Sequence, residues 1–161
     1  MSVKVGDKAP DFVLPSQMGD NVALSEYIDK KNVVLNFYPK DESTGCTREA
    51  CAFRDQYSEF IDLGAEVLGV SSQSVESHKS FGSHYGLPLI LLSDPDSKVR
   101  RLYGVQPTLG VIPGRVTFII DKRGIVRSIF NSQFQPVKHV EEAKRILQEL
   151  DEEDKVETRS K

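Results

Sequence analysis

Six consecutive residues, Val33-Val34-Leu35-Asn36-Phe37-Tyr38, restrict what this chain can fold into more than any other feature. The run is compact, rich in β-formers and closed by Pro39. A run of that length and kind reads as a central strand with both faces buried. Such a strand needs covering layers, and the segment after it supplies one. Residues 40–45 form a polar loop, and from Cys46 onward the apolar period becomes helical. Ala50, Phe53, Tyr57, Phe60 and Ile61 share one stripe, which Gly64 ends.

The same logic runs along the rest of the chain. Val67–Ser71 is a second buried strand, residues 74–85 read as a helix, and Pro88–Leu92 is a short extended run. Asp96 to Tyr103 reads as a short helix. Val116–Ile120, a turn at Asp121-Lys122-Arg123-Gly124, and Ile125–Phe130 make a hairpin. Val137 to Leu150 is a last amphipathic helix. Turn signals at Ala9-Pro10, Leu14-Pro15 and Met18–Asn21 predict a hairpin near the N-terminus. Alternation of this kind implies an α/β architecture, a mixed central sheet flanked by helices. Residues 1–150 read as one domain, and 151–161 as a flexible charged tail.

Bulk properties exclude several function classes. The net charge of −3 offers no basic footprint for nucleic acid. No apolar run approaches the length of a membrane span. The first residues have neither a hydrophobic signal core nor an Arg-rich transit pattern, so a cytoplasmic protein is expected, with a plastid the alternative if a leader has been removed.

The chain has two cysteines, Cys46 and Cys51. Two thiols are too few for a disulfide scaffold or, alone, for a tetrahedral zinc site. One reading makes both of them buried, inert small hydrophobes. The other starts from position. Cys46 lies where a strand-loop-helix transition ends, and a helix N-terminus has unpaired N–H groups and partial positive charge that favour a thiolate. Ser43 and Thr44 can cap that helix, and Gly45 admits close approach to the backbone. At about 100° per residue Cys46 faces inward, and Cys51 lies roughly 140° around on a more exposed flank. In an intact helix their Cα atoms stand roughly 8.6 Å apart. A disulfide needs less than about 7 Å. Any bond between them therefore requires the first turns to unwind.

The segment Tyr38-Pro39-Lys40-Asp41-Glu42-Ser43-Thr44-Gly45-Cys46-Thr47-Arg48-Glu49-Ala50-Cys51-Ala52-Phe53-Arg54-Asp55 resembles the active-site segment of the peroxiredoxins, in particular the peroxiredoxin Q or bacterioferritin comigratory protein branch. Pro39, Ser43 and Cys46 meet the family pattern Pro-x3-Thr/Ser-x2-Cys, and Cys51 meets the branch's second cysteine. Gly6–Phe12 matches the family's opening, and Pro113–Phe118 with Asp121 and Gly124 its late segment. Asn131, Gln133, Pro136 and His139 are similar to cyanobacterial and plastid members.

The resemblance implies a thioredoxin-like fold and a thiol peroxidase that reduces hydrogen peroxide and organic hydroperoxides. By the same resemblance Cys46 is the peroxidatic thiol and Cys51 the resolving thiol. Ser43 hydrogen-bonds the peroxide, Arg115 holds its oxygens and favours the thiolate, Gly45 borders the substrate, Pro39 excludes water, and Glu49 orients an arginine. Thioredoxin or a similar protein dithiol is the implied reductant, and no metal, haem or flavin cofactor is implied. The branch suggests a monomer, with a weak dimer as the alternative. Ser43 stands where Thr is usual and Thr44 where Pro is frequent, which leaves the loop less restrained.

Other readings stay open at this level. Spacing alone allows Arg115 to be a surface ion-pair residue. His78, His84 and His139 read as ordinary surface or packing residues, and Tyr38, Phe53 and Tyr57 as core. A non-catalytic redox switch on the same fold is a second function class, although it needs none of Arg115, Ser43 and Pro39. A general disulfide reductase is disfavoured by the C-x4-C spacing.

Overall fold

The run after Lys31 forms the middle of the molecule. In this computed structural model, which describes residues 3–107, 110 and 112–160, strand β3 (Asn32–Phe37) is buried along its whole length. Two short strands precede it, β1 (Val13–Pro15) and β2 (Asn21–Ala23), paired as an antiparallel hairpin. On one side β3 pairs in parallel with β4 (Ala65–Ser71), and β4 with β5 (Ile90–Ser93). On the other it pairs antiparallel with β6 (Val116–Ile120), and β6 with β7 (Val126–Asn131). The sheet is therefore mixed, in the order β5-β4-β3-β6-β7.

Side chains alternate across a strand, and β3 shows what that does to the core. Val33, Leu35 and Phe37 join Phe12, Leu24, Leu68, Tyr103 and Phe118 on one face. Val34 and Tyr38 join Cys46, Phe53, Phe60, Phe81 and Leu147 on the other. This second face is covered by α1 (Thr44–Asp55), α2 (Tyr57–Asp62), α3 (Val75–Tyr85) and α5 (Pro136–Ser160). The first face carries the N-terminal hairpin and the short α4 (Lys98–Leu102).

Three elements depart from the sequence reading. The helix after Cys46 is broken at Gln56, whose φ and ψ of −111° and 10° end α1 before α2 begins. The break shifts the helical phase, so Phe60 is buried while Ile61, expected on the same stripe, is 39% exposed. The short helix expected from Asp96 starts at Lys98, because Ser97 adopts a left-handed φ of 54°. The last helix does not stop at Leu150 but continues to Ser160. Past Leu150 its carboxylates reach back to the β6–β7 hairpin: Glu153 to Arg127, Asp154 to Lys122, and Glu157 to Arg123. These contacts give a segment read as a frayed tail a surface to lie on. Lys161, Met1 and Ser2 lie outside the described residues.

Candidate active site

The loop from Pro39 to Ser43 leads out of β3 and into α1. Ser43 is the N-cap by backbone position, with extended φ and ψ. Its side chain does not cap, contrary to the sequence reading; the hydroxyl donates to the Lys40 carbonyl at 2.9 Å. The first helical bond runs from Thr47 N–H to Ser43 C=O. The N–H groups of Thr44, Gly45 and Cys46 therefore point out of the helix start without an intrahelical acceptor. Cys46 sits among them, in the first turn, 2% exposed and on the core side. Cys51 lies on the same helix and is only half-buried; both thiols are free. The predicted inward and outward flanks of the two cysteines are thus observed.

Arg115 stands at the end of the loop that enters β6, distant in sequence but adjacent in space. It is 4% exposed. Its Nη2 lies 3.4 Å from Cys46 Sγ, and its Nη1 donates to Glu49 Oε1 at 3.1 Å. Its Nε donates to the Gln133 carbonyl, while its backbone N–H donates to Gln133 Oε1. The guanidinium is fixed on three sides, as a planar fork of donors can be. Gly45 leaves room for this approach: a Cβ on it would crowd Arg115 Nη2 at 3.0 Å. Pro39 is half-buried at the loop's start.

A buried polar chain lies behind this pair. Glu49 Oε1 also accepts from Asn36 Nδ2 at 2.8 Å. The Thr117 hydroxyl lies between Asn36 Oδ1 and His139 Nδ1, and its one proton serves one acceptor at a time. His139 Nε2 faces the Ser132 carbonyl at 2.6 Å. Burial, aided by the charge of Arg115 and opposed by the Ser132 carbonyl, lowers the His139 pKa to about 4, so the ring is neutral near pH 7. Burial raises Glu49 to about 7 against the opposing pull of Arg115 and Asn36. Its Oε2 has no hydrogen-bond partner among the described residues.

A second network holds the loop itself. Asp41 accepts from the Tyr38 hydroxyl at 2.6 Å and the Ser77 hydroxyl at 2.7 Å, and lies 2.7 Å from His78 Nδ1. His78 Nε2 faces the Leu92 carbonyl. The expectation of ordinary histidines thus fits His84, exposed and paired with Glu42, but not His78 or His139. These two are buried polar anchors. Asn36, Asp41, Thr117 and His78 carried no signal of these roles in the sequence, and His139 entered only through the resemblance.

A wide groove lies elsewhere, between the C-terminal half of α5 and the β6–β7 turn, lined by paired charges such as Arg127 and Glu153. Among the described residues no cluster of three or more His, Cys, Asp or Glu side chains is placed to hold a metal.

Known proteins match this chain over most of its length. Residues 5–129 match the AhpC/TSA family. The chain is 50% identical over 149 residues to a chloroplastic peroxiredoxin Q of Sedum lineare, covering 92% of this chain and 80% of that protein. The chain belongs to the peroxiredoxin Q branch of this family. Solved structures agree. Peroxidoxin BcpB from Mycobacterium tuberculosis superposes with a TM-score of 0.84 at 36% identity, covering 91% of this chain and 97% of that one. The Xanthomonas campestris bacterioferritin comigratory protein, described for its alkyl peroxide reduction activity, gives 0.82 at 27% identity, covering 92% and 98%. The fold is thioredoxin-like, as the resemblance implied, and this peroxiredoxin is a thiol peroxidase that works through its cysteines on peroxides with a thioredoxin-type reductant.

Proposed function

We propose that Cys46 attacks the hydroperoxide and that Cys51 then closes a disulfide with it. The observation that carries this assignment is the 3.4 Å approach of Arg115 Nη2 to Cys46 Sγ, at the sulfur that also lies closest to the free helix N–H groups. In the first step the Cys46 thiolate attacks one peroxide oxygen. An S–O bond forms, the O–O bond breaks, and hydroxide or alkoxide leaves and takes up a proton. The product is a sulfenic acid on Cys46. A thiolate alone is not enough, because nucleophilicity falls as thiol pKa falls. Fixed donors aimed at the charge moving along S–O–O supply the additional stabilisation. Arg115 is such a donor. The Ser43 hydroxyl already gives its proton to the Lys40 carbonyl, so its lone pairs are available to accept from the peroxide O–H. Glu49 keeps the guanidinium in place, Gly45 leaves room beside it, and half-buried Pro39 limits water at the loop.

The sulfenic acid is then attacked by Cys51. Water leaves and the disulfide forms. Both cysteines sit on one helix, so this step needs no second chain, and we propose a monomer. Thioredoxin or a similar protein dithiol reduces the disulfide. Organic hydroperoxides join hydrogen peroxide as substrates, a reading supported by the activity described for the Xanthomonas campestris relative. The compartment we propose is the cytoplasm, with a plastid the alternative given the chloroplastic Sedum lineare relative.

A coupled assay tests the assignment by following reductant consumption with hydrogen peroxide and with an organic hydroperoxide. The unaltered protein is expected to turn over with both, and Cys46→Ser with neither. Turnover retained by Cys46→Ser would overturn the assignment.

A further inference from the structure

Arg100 is a second buried arginine that the peroxide chemistry above does not use. It lies on α4, on the opposite side of the sheet from Cys46, and is almost fully buried. Its Nη1 donates to the Gly114 carbonyl at 2.6 Å, and its Nη2 to the Tyr38 carbonyl at 2.8 Å. Those two carbonyls hold special places in the chain. The Tyr38 carbonyl belongs to the peptide bond of Pro39, where β3 hands over to the Cys46 loop. The Gly114 carbonyl belongs to the peptide bond of Arg115.

We propose that Arg100 is a positioning residue for the peroxidase reaction, clamping the Pro39 and Arg115 backbones to one another across the end of the sheet.

Four observations support this. First, the two segments are far apart in sequence, and one rigid guanidinium spans them with two donors. Second, the side chain is itself fixed: Asp94 accepts from the backbone N–H groups of Val99 and Arg100 and sets the start of α4. The guanidinium also stands 5.8 Å from the centre of the Phe37 ring. Third, the Gly114 position tolerates no side chain, because a Cβ there would lie 2.3 Å from the Gln106 carbonyl oxygen. The backbone carrying Arg115 is thus pressed from one side and hydrogen-bonded on the other. Fourth, no ion pair engages Arg100 among the described residues. Burial lowers its pKa, and Asp94 and the Cys46 thiolate are the negative charges that counter this. A buried cation hydrogen-bonded to carbonyls rather than to a carboxylate is costly, and the two carbonyls it holds are the ones that set the site.

The inference rests on the assignment of Cys46 as the attacking thiol, and the test separates the two. In a Cys51→Ser background, the rate of Cys46 oxidation by hydrogen peroxide is measured beside its rate of alkylation by iodoacetamide. Alkylation is compared at its high-pH plateau, where Cys46 is fully thiolate wherever Arg115 stands, so it reports access to the sulfur and not the arrangement of Arg115 and Pro39. Arg100→Lys keeps the charge but lacks the planar fork, and Arg100→Met removes both donors. Displacing a catalytic group by about 1 Å costs up to about 100-fold. Both variants are therefore expected to unfold cooperatively, to lose about 10-fold or more in the peroxide rate, and to keep the alkylation rate within about 3-fold. A folded Arg100→Lys or Arg100→Met with an unchanged peroxide rate would overturn the proposal. So would an equal fall in both rates, or failure of both variants to fold, since either makes Arg100 a structural residue only. If Cys46 of the Arg100-bearing protein is not oxidised by peroxide, it is the assignment of Cys46 that fails.

Discussion

Glu49 and Arg115 form an ion pair at 3.1 Å with both side chains almost fully buried, and the same guanidinium reaches Cys46 with its other terminal nitrogen. Arg115 is therefore shared between a carboxylate that titrates and a thiolate that reacts. Glu49 is raised from its ordinary 4.5 to about 7, first by burial, with Arg115 and Asn36 pulling the other way.

The sign of the resulting pH dependence follows from linkage. Between about 4.5 and 7 the folded protein keeps a proton on Glu49 that the unfolded chain releases. Stability contributed by this group is present at low pH and falls as pH rises through that window. In Glu49→Gln this component is absent. Urea unfolding of both proteins from pH 4.5 to 7.5 is expected to show the difference between them growing in favour of the variant as pH rises. Parallel curves would contradict this.

Asp41 and His78 predict an effect on the loop. Burial pushes the Asp41 carboxyl up, but hydrogen bonds from His78, Tyr38 and Ser77 and the attraction of His78 hold it below its ordinary value of 3.8. The stability it adds is complete above that value and is lost as pH falls through the lower folded one. Removing one partner of a buried pair costs roughly 3–5 kcal/mol. Asp41→Ala is expected to lose about that much in urea unfolding near neutral pH. It also frees the loop before α1, so the disulfide is expected to form faster after peroxide is added, as read by the loss of free thiol. Slower disulfide formation would contradict the picture of the loop as a restraint.

How much of this was legible in the sequence depends on where each partner lay. The strand Val33–Tyr38, the helix start at Cys46 and the exposed flank of Cys51 follow from local period and were readable. Arg115 was placed by resemblance to a motif rather than by physics, because nothing local links it to a residue 69 positions away. Asp41–His78, Asn36–Thr117 and Arg100–Tyr38 were not readable at all. Each joins segments that only the sheet brings together, and a polar residue carries no mark of its distant partner. The break at Gln56 was missed for a different reason. The apolar stripe runs through it, and a one-residue change of phase moves Ile61 outward without altering the composition. The continuation of α5 past Leu150 was hidden because its partners, Arg123 and Arg127, sit on another hairpin.

Helix geometry yields a structural prediction for the oxidised protein. Cys46 and Cys51 lie on the unbroken α1, where ideal spacing separates their Cα atoms by roughly 8.6 Å. The disulfide limit is about 7 Å. The oxidised protein is therefore expected to lose helix in the first turns of α1. Hydrogen exchange of residues 44–51 should be faster in the disulfide form than in the dithiol form, while β3 and β4 stay protected. Equal protection of α1 in both forms would contradict this.

The division of labour between the two cysteines is tested most directly by mass spectrometry of Cys51→Ser after one equivalent of hydrogen peroxide, followed by the coupled assay with thioredoxin. The expected result is rapid consumption of the peroxide with one oxygen added at Cys46, and no sustained turnover with thioredoxin. Oxidation at a residue other than Cys46, or normal thioredoxin-dependent turnover by Cys51→Ser, would contradict the account.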